Sequence, residues 1–225
     1  VCTVDGRDGE WEGEEPVLDN GETELYVKSD EAYVYLLLRG KNDNLQIALD
    51  TIEDQGNEAY GGADFLLEIK GKKKSRLLVH PYYDVNYWLY TTGMHASNKV
   101  LEVKEGYADP ETHTFAPIYL MLNRPVVLTD GTIVETEQVE TGRLRHGNAD
   151  PQSEGYNSRA DFCIRGNVTE VRLPWLLLNI AKPNEKMRIA DLYANDEITY
   201  ESIREIQFEI DGERGSYTWN GWTEP

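Results

Sequence analysis

The chain of 225 residues carries 41 Asp and Glu against 22 Lys and Arg, a formal net charge of -19. A surface of that sign repels phosphate backbones and anionic headgroups, which argues against nucleic acid and acidic membranes as partners. No run approaches the ~20 apolar residues that a membrane-spanning helix needs. No signal peptide is present and the first residue is Val1 rather than Met, so the sequence reads as a single domain over residues 1–225, excised or processed from a larger protein.

In chain order the predicted elements are almost all strands. Residues 32–40, AYVYLLLRG, are apolar on both faces and bounded by Asp30 and Gly40, the pattern of a central buried strand. LQIALD follows at 45–50, ADFLLEIKG at 63–71 and SRLLVH at 75–80, with the basic KGKKK between the last two read as a solvated hairpin loop. NKVLEV at 98–103, APIYLMLN at 116–123 and TIVETEQVET at 132–141 are further strand candidates. DFCIRG and VTEVRL form a hairpin turned at Gly166 and Asn167. In IREIQFEID, Ile206, Phe208 and Ile210 fall on one face, and Glu205, Gln207 and Glu209 on the other. GSYTWNGW at 215–222 reads as a closing strand, and PWLLLNI at 174–180 is the best short helix, with Pro174 in its first turn. Many short strands with regular turns predict an all-β, antiparallel two-sheet sandwich, jelly-roll-like, with little helix.

Three stretches together resemble family 9 carbohydrate-binding modules and related DOMON-type β-sandwiches. They are VDGRDGEW at 4–11, ELYVKSDEAYVYLLLRG followed by IALDT at 24–51, and TEVRLPW at 169–175. The order and spacing agree with that group, while residues 80–160 match nothing in it. The resemblance implies a secreted or cell-surface accessory module, in a group where calcium occurs. Trp11 is expected to bury its indole against the sandwich, and Trp175 to join the core.

Two segments carry the candidate ligand chemistry. HPYYDVNYWLYTTG at 80–93 concentrates Tyr83, Tyr87 and Trp88 around Asp84 and Asn86. Sugars offer C–H faces to aromatic rings and hydroxyls to carboxylates and amides, so at least one of these rings is expected to stand open as a platform. Trp219 and Trp222 in SYTWNGW offer a second platform. The loop DTIEDQGNEAYGGAD places Asp50, Asp54, Asn57 and Asp64 among three glycines. Clustered side-chain oxygens on a Gly-rich loop suit calcium, which takes about 6–8 oxygens. The acid is concentrated here: residues 1–64 hold 17 Asp or Glu and 4 Lys or Arg. A solvated acidic face explains the same cluster.

Other chemistries lack their residues. His80, His95, His113 and His146 form no pair at zinc spacing, and no GxSxG, HExxH or phosphate loop occurs. Haem ligation of the DOMON kind would fall to Met94, His95 and Met121, but adjacent residues do not readily reach opposite faces of one haem. Cys2 and Cys163 give no disulfide framework, though one long-range bridge stays open. The expectation is a non-catalytic module that binds a polysaccharide or oligosaccharide and sits beside other domains of the same polypeptide. The alternative is a structural or interaction domain without a small ligand.

Overall fold

The computed structural model describes residues 2–52, 55–91, 106–123 and 126–223. Two antiparallel sheets dominate. The first has five strands in the order β1 (Leu18–Asp19), β2 (Thr23–Ser29), β3 (Tyr33–Gly40), β13 (Val168–Pro174) and β12 (Phe162–Arg165). The second has six, in the order β17 (Glu213–Tyr217), β16 (Ile206–Ile210), β4 (Leu45–Asp50), β5 (Phe65–Ile69), β6 (Arg76–Val79) and β7 (Ala116–Pro117). The all-β, antiparallel class read from the sequence is the one observed.

Period-two alternation explains how the sheets meet. Val34, Leu36 and Leu38 of β3, with Val171 and Leu173 of β13, share one buried cluster with Ile47 and Leu49 of β4, Leu67 and Ile69 of β5, and Phe208 of β16. One core drawing on the inward residues of both sheets is what face-to-face packing requires. The outer face of the first sheet is covered as well. Val4, Trp11, Tyr26, Tyr35, Leu37, Cys163 and Val168 form a second cluster there. That cover is why β3 is apolar on both sides. On the outer face of the second sheet, Ala48, Leu66 and Leu78 pack under Tyr60 and Phe115.

The Trp11 indole is buried, and one carboxylate fixes the segment that carries it. Glu170, at the centre of β13, accepts hydrogen bonds from the backbone N–H groups of Asp5 (2.9 Å) and Gly6 (2.7 Å) and from Trp11 Nε1 (2.9 Å). Trp175 is in the core, with its ring centroid 4.6 Å from that of Trp219 and its Nε1 donating to the Asp30 carbonyl. Cys163 belongs to the cluster around Val4 and Trp11, Cys2 packs against it, and both are free thiols.

Several local expectations change. The basic loop closes into one helical turn, α1 (Gly71–Lys74), after Gly71 at φ 64°. Residues 132–141 split into β10 (Ile133–Val134) and β11 (Gln138–Glu140), which pair with β9 (Val126–Val127) and β8 (Tyr119–Met121) outside the two main sheets. The closing strand stops at Tyr217, so Trp219 and Trp222 follow it in irregular chain. PWLLLNI makes a single 3-10 turn over Trp175–Leu178, ended by Asn179 in the left-handed region. The 98–103 strand candidate lies outside the described residues, as do Met94 and His95.

Candidate functional site

Antiparallel order brings distant loops to one end of the second sheet. Phe65 pairs with both Leu49 and Val79, and Gln207 pairs with Asp50. The exit from β4, the entry to β5, the exit from β6 and the entry to β16 therefore lie side by side. A hairpin nearby, β14 (Met187–Ile189) with β15 (Tyr200–Ser202), brings Arg188 and Asp191 to the same end.

The loop after β6 is built by capping. His80 Nδ1 accepts from the Tyr82 N–H, and its Nε2 donates to the Thr112 carbonyl at 2.8 Å. Burial holds its pKa below the ordinary value, which keeps the ring neutral and able to make both bonds. Pro81–Tyr83 then form a 3-10 turn, and Asp84 Oδ1 accepts from the Tyr87 N–H to start α2 (Val85–Thr91). The Tyr82 hydroxyl reaches both carboxylate oxygens of Asp191 at 3.0 Å, and Asp191 in turn caps α3 (Leu192–Asn195). The Tyr83 hydroxyl donates to Gln55 Oε1 at 2.9 Å. Both phenol oxygens are thereby fixed in place.

These groups line a polar cleft of about 1090 Å³, walled by Asp50, Gln55, Tyr82, Tyr83, Asp191, Arg204 and Gln207 among others. A recess of about 290 Å³ shares Asp50, Gln55, Arg204 and Gln207 with it and reaches Arg188. Behind the wall, Asp64 is fully buried. Its Oδ2 accepts from the N–H (2.7 Å) and hydroxyl (2.9 Å) of Thr51, while Oδ1 has no partner. Burial, with the charge of Asp50 second, pushes the Asp64 carboxyl up to about 8. Arg188 is equally enclosed. It pairs with Glu201 and leaves its Nε unpartnered. The arrangement offers fixed acceptors, fixed hydroxyls and guanidinium donors at one end of the sheet.

Comparison with family models, with curated proteins and with solved structures returns no match. The geometry therefore carries the functional argument alone.

The sequence candidates divide. Tyr83 lines the cleft, but its ring is only 5% exposed. Tyr87 and Trp88 are buried as well, Trp88 against Ile189 and Leu192. The open stacking platform expected over this segment does not form across residues 80–91. The segment is helical, and its rings turn inward as packing. Asp84 and half-buried Asn86 border a different, mainly apolar cavity. Trp219 is buried, with Nε1 donating to the Pro183 carbonyl, and Trp222 packs partly buried against the core. The second platform is thus also largely closed by packing.

Of the calcium candidates, Asp50 lines the cleft and Asp64 lies behind it, while Asp54 is outside the described residues. Asn57 is buried and spends its Oδ1 on the Ala59 N–H. Among the described residues, no three His, Cys, Asp or Glu side chains converge as a metal centre. Gln55, Arg188, Asp191, Arg204 and Gln207 were not legible as site residues. The one local signal is Arg188, a cation inside the otherwise apolar run around Met187, Ile189 and Ala190.

Among the described residues no helix is long and apolar enough to cross a membrane.

Proposed function

We propose that this chain is a non-catalytic carbohydrate-binding domain, an accessory part of a larger secreted or surface protein, and that a sugar occupies the polar cleft. The observation that carries this reading is the immobilised set of Tyr82 and Tyr83 hydroxyls, held by Asp191 and Gln55, beside Asp50, Arg204 and Gln207. Sugar hydroxyls both donate and accept, and a wall that mixes fixed acceptors with donors selects their geometry. The buried rings leave little stacking area, so hydrogen bonds to a wet surface would dominate and affinity is expected to be weak.

A glycan-array screen followed by calorimetry tests it. Arg204→Ala and Gln207→Ala alter side chains at the cleft without touching the core, and each is expected to weaken sugar binding about tenfold, near 1.4 kcal/mol. An array without a single retained glycan, or unchanged affinity in both variants, overturns the proposal.

Calcium belongs to the same proposal. A cation beside Asp50 and the unpartnered Oδ1 of Asp64 would neutralise two carboxylates that otherwise repel each other. The second reading, an interaction domain, is favoured by one observation. The β8–β11 and β9–β10 pairs and their turns expose Leu122, Val126, Val127, Leu128 and Ile133 to solvent. Contiguous exposed apolar surface marks contact sites between proteins or domains. Val127→Lys would then disturb assembly with a neighbouring domain and leave sugar binding intact.

A further inference from the structure

A second cavity, of about 430 Å³, shares only Tyr83 with the polar cleft among the described residues. Its inner wall is made by Phe65, Val79, Ile118, Leu144, Leu177 and Ile189. These come from the second sheet, from the chain beyond β7, from the 3-10 turn after β13 and, for Ile189, from β14. Its rim is apolar too. Leu120 is 42% exposed and Leu176 is 64% exposed, although Trp175 and Leu178 in the same turn are buried. Leucines held at the mouth of an apolar hollow extend its surface outward. The volume falls in the range of small-molecule sites, about 300–1,000 Å³.

The few polar groups at the border decide what end group the occupant carries. The Asn179 amide donates to the Tyr83 carbonyl, and Arg172 donates to the Ser158 carbonyl with its guanidinium over the Tyr33 ring. The border also holds two acids, Asp84 and Asp161, against the single guanidinium of Arg172, whose Nε is buried without a partner, so its formal charge is net negative. Acids of this kind repel a carboxylate and accept a hydrogen bond from a neutral hydroxyl or amide. Water against the apolar wall has few partners, and an apolar body displaces it favourably.

We infer that this cavity is a second binding site, for an uncharged, mainly hydrocarbon small molecule that ends in a hydrogen-bond donor such as a hydroxyl. It is independent of the sugar proposal, because no cleft residue apart from Tyr83 takes part.

Titration with the neutral fluorophore N-phenyl-1-naphthylamine, followed by competition, tests the site on the intact chain. Saturable one-to-one dye binding is expected, displaced by decan-1-ol and at least about tenfold less well by decanoate. Leu120→Asp combined with Leu176→Asp changes only exposed rim residues and is expected to weaken dye binding about tenfold or more without changing the melting temperature. Val127→Lys with Ile133→Lys, on the exposed hairpins, is expected to leave dye binding as it was. Non-saturable binding overturns the inference, as does binding lost with the hairpin substitutions and kept with the rim ones. Should the rim variant fail to fold, the competition on the unmodified chain still decides. Decanoate competing as well as decan-1-ol refutes the neutral end group, and no displacement by either refutes the site.

Discussion

Replacing Glu170 with Gln isolates the tie between the N-terminal segment and the first sheet. The side chain is 1% exposed and its two oxygens satisfy three donors, those of Asp5, Gly6 and Trp11. Burial raises its carboxyl from 4.5 to about 7, the three hydrogen bonds working in the opposite direction. Gln keeps the shape but replaces one acceptor with an NH₂, so at least one of the three donors faces another donor. An unpaired buried donor costs about 1–3 kcal/mol. The pH dependence is sharper still. A carboxyl whose folded pKa lies above its unfolded value adds stability that is complete below about 4.5 and lost as pH rises through about 7. A rise of that size corresponds to roughly 3 kcal/mol. Urea denaturation of both proteins at intervals from pH 5 to pH 8 reads this directly. The wild type is expected to lose about 2.5 kcal/mol more than Glu170→Gln across that range, because Gln does not titrate. The comparison cancels most of the repulsion within this acidic chain, since the two proteins differ at one carboxyl only. Parallel stability curves would falsify the claim that Glu170 is neutralised by burial.

Three further outcomes follow from the packing and the acidic loop. Trp88→Ala removes a ring that is 3% exposed against Ile189 and Leu192, and should lower stability by about 3–5 kcal/mol in denaturant titrations; near-normal stability would return the residue to the ligand candidates. Gly215→Ala would set a Cβ 1.8 Å from the Val17 carbonyl oxygen. Backbone must move to admit it, at about 1–3 kcal/mol, and an unchanged denaturation midpoint refutes the close approach. If calcium sits beside Asp50 and Asp64, EDTA lowers the melting temperature and calcium restores it, by about 2.7 kcal/mol of stability at a hundredfold excess over Kd. Asp64→Asn should remove that response, and a melting curve indifferent to EDTA sinks the calcium site.

The parts of the fold legible in the sequence are those set by local alternation. Ile206, Phe208 and Ile210 enter the core as their spacing requires, and the hairpin turned at Gly166, φ 59°, pairs Arg165 with Val168. The two-sided apolar run of β3 was readable as a central strand, although its second cover, the segment around Val4 and Trp11, is remote in sequence. The 80–91 segment misled for a physical reason. Aromatic density was read as a platform, while the caps at His80 and Asp84 specify short helical turns that bury those rings. The cleft was mostly illegible. Gln55 and Gln207 meet because β4 pairs with β16, and Asp191 reaches them on the β14–β15 hairpin; no short-range pattern encodes either placement.

The buried polar groups of this molecule differ in how fully the chain itself satisfies them. Glu170 is a buried acid with every oxygen engaged by the chain itself, and a ligand has nothing to add there. Asp64 and Arg188 are buried to the same degree but keep Oδ1 and Nε unmatched, and both stand at the cleft end of the second sheet. Buried polar groups left without partners cost stability, and a fold keeps them where something else supplies the bond. Arg188 Nε needs an acceptor, and Asp64, whose carboxyl burial holds protonated up to about pH 8, needs a partner for its second oxygen, so a group that both accepts and donates serves both. A sugar hydroxyl meets that requirement. Trp88 Nε1 and Thr169 Oγ1 are unmatched as well, inside the packing of the fold, so what sets Arg188 apart is the recess that reaches it.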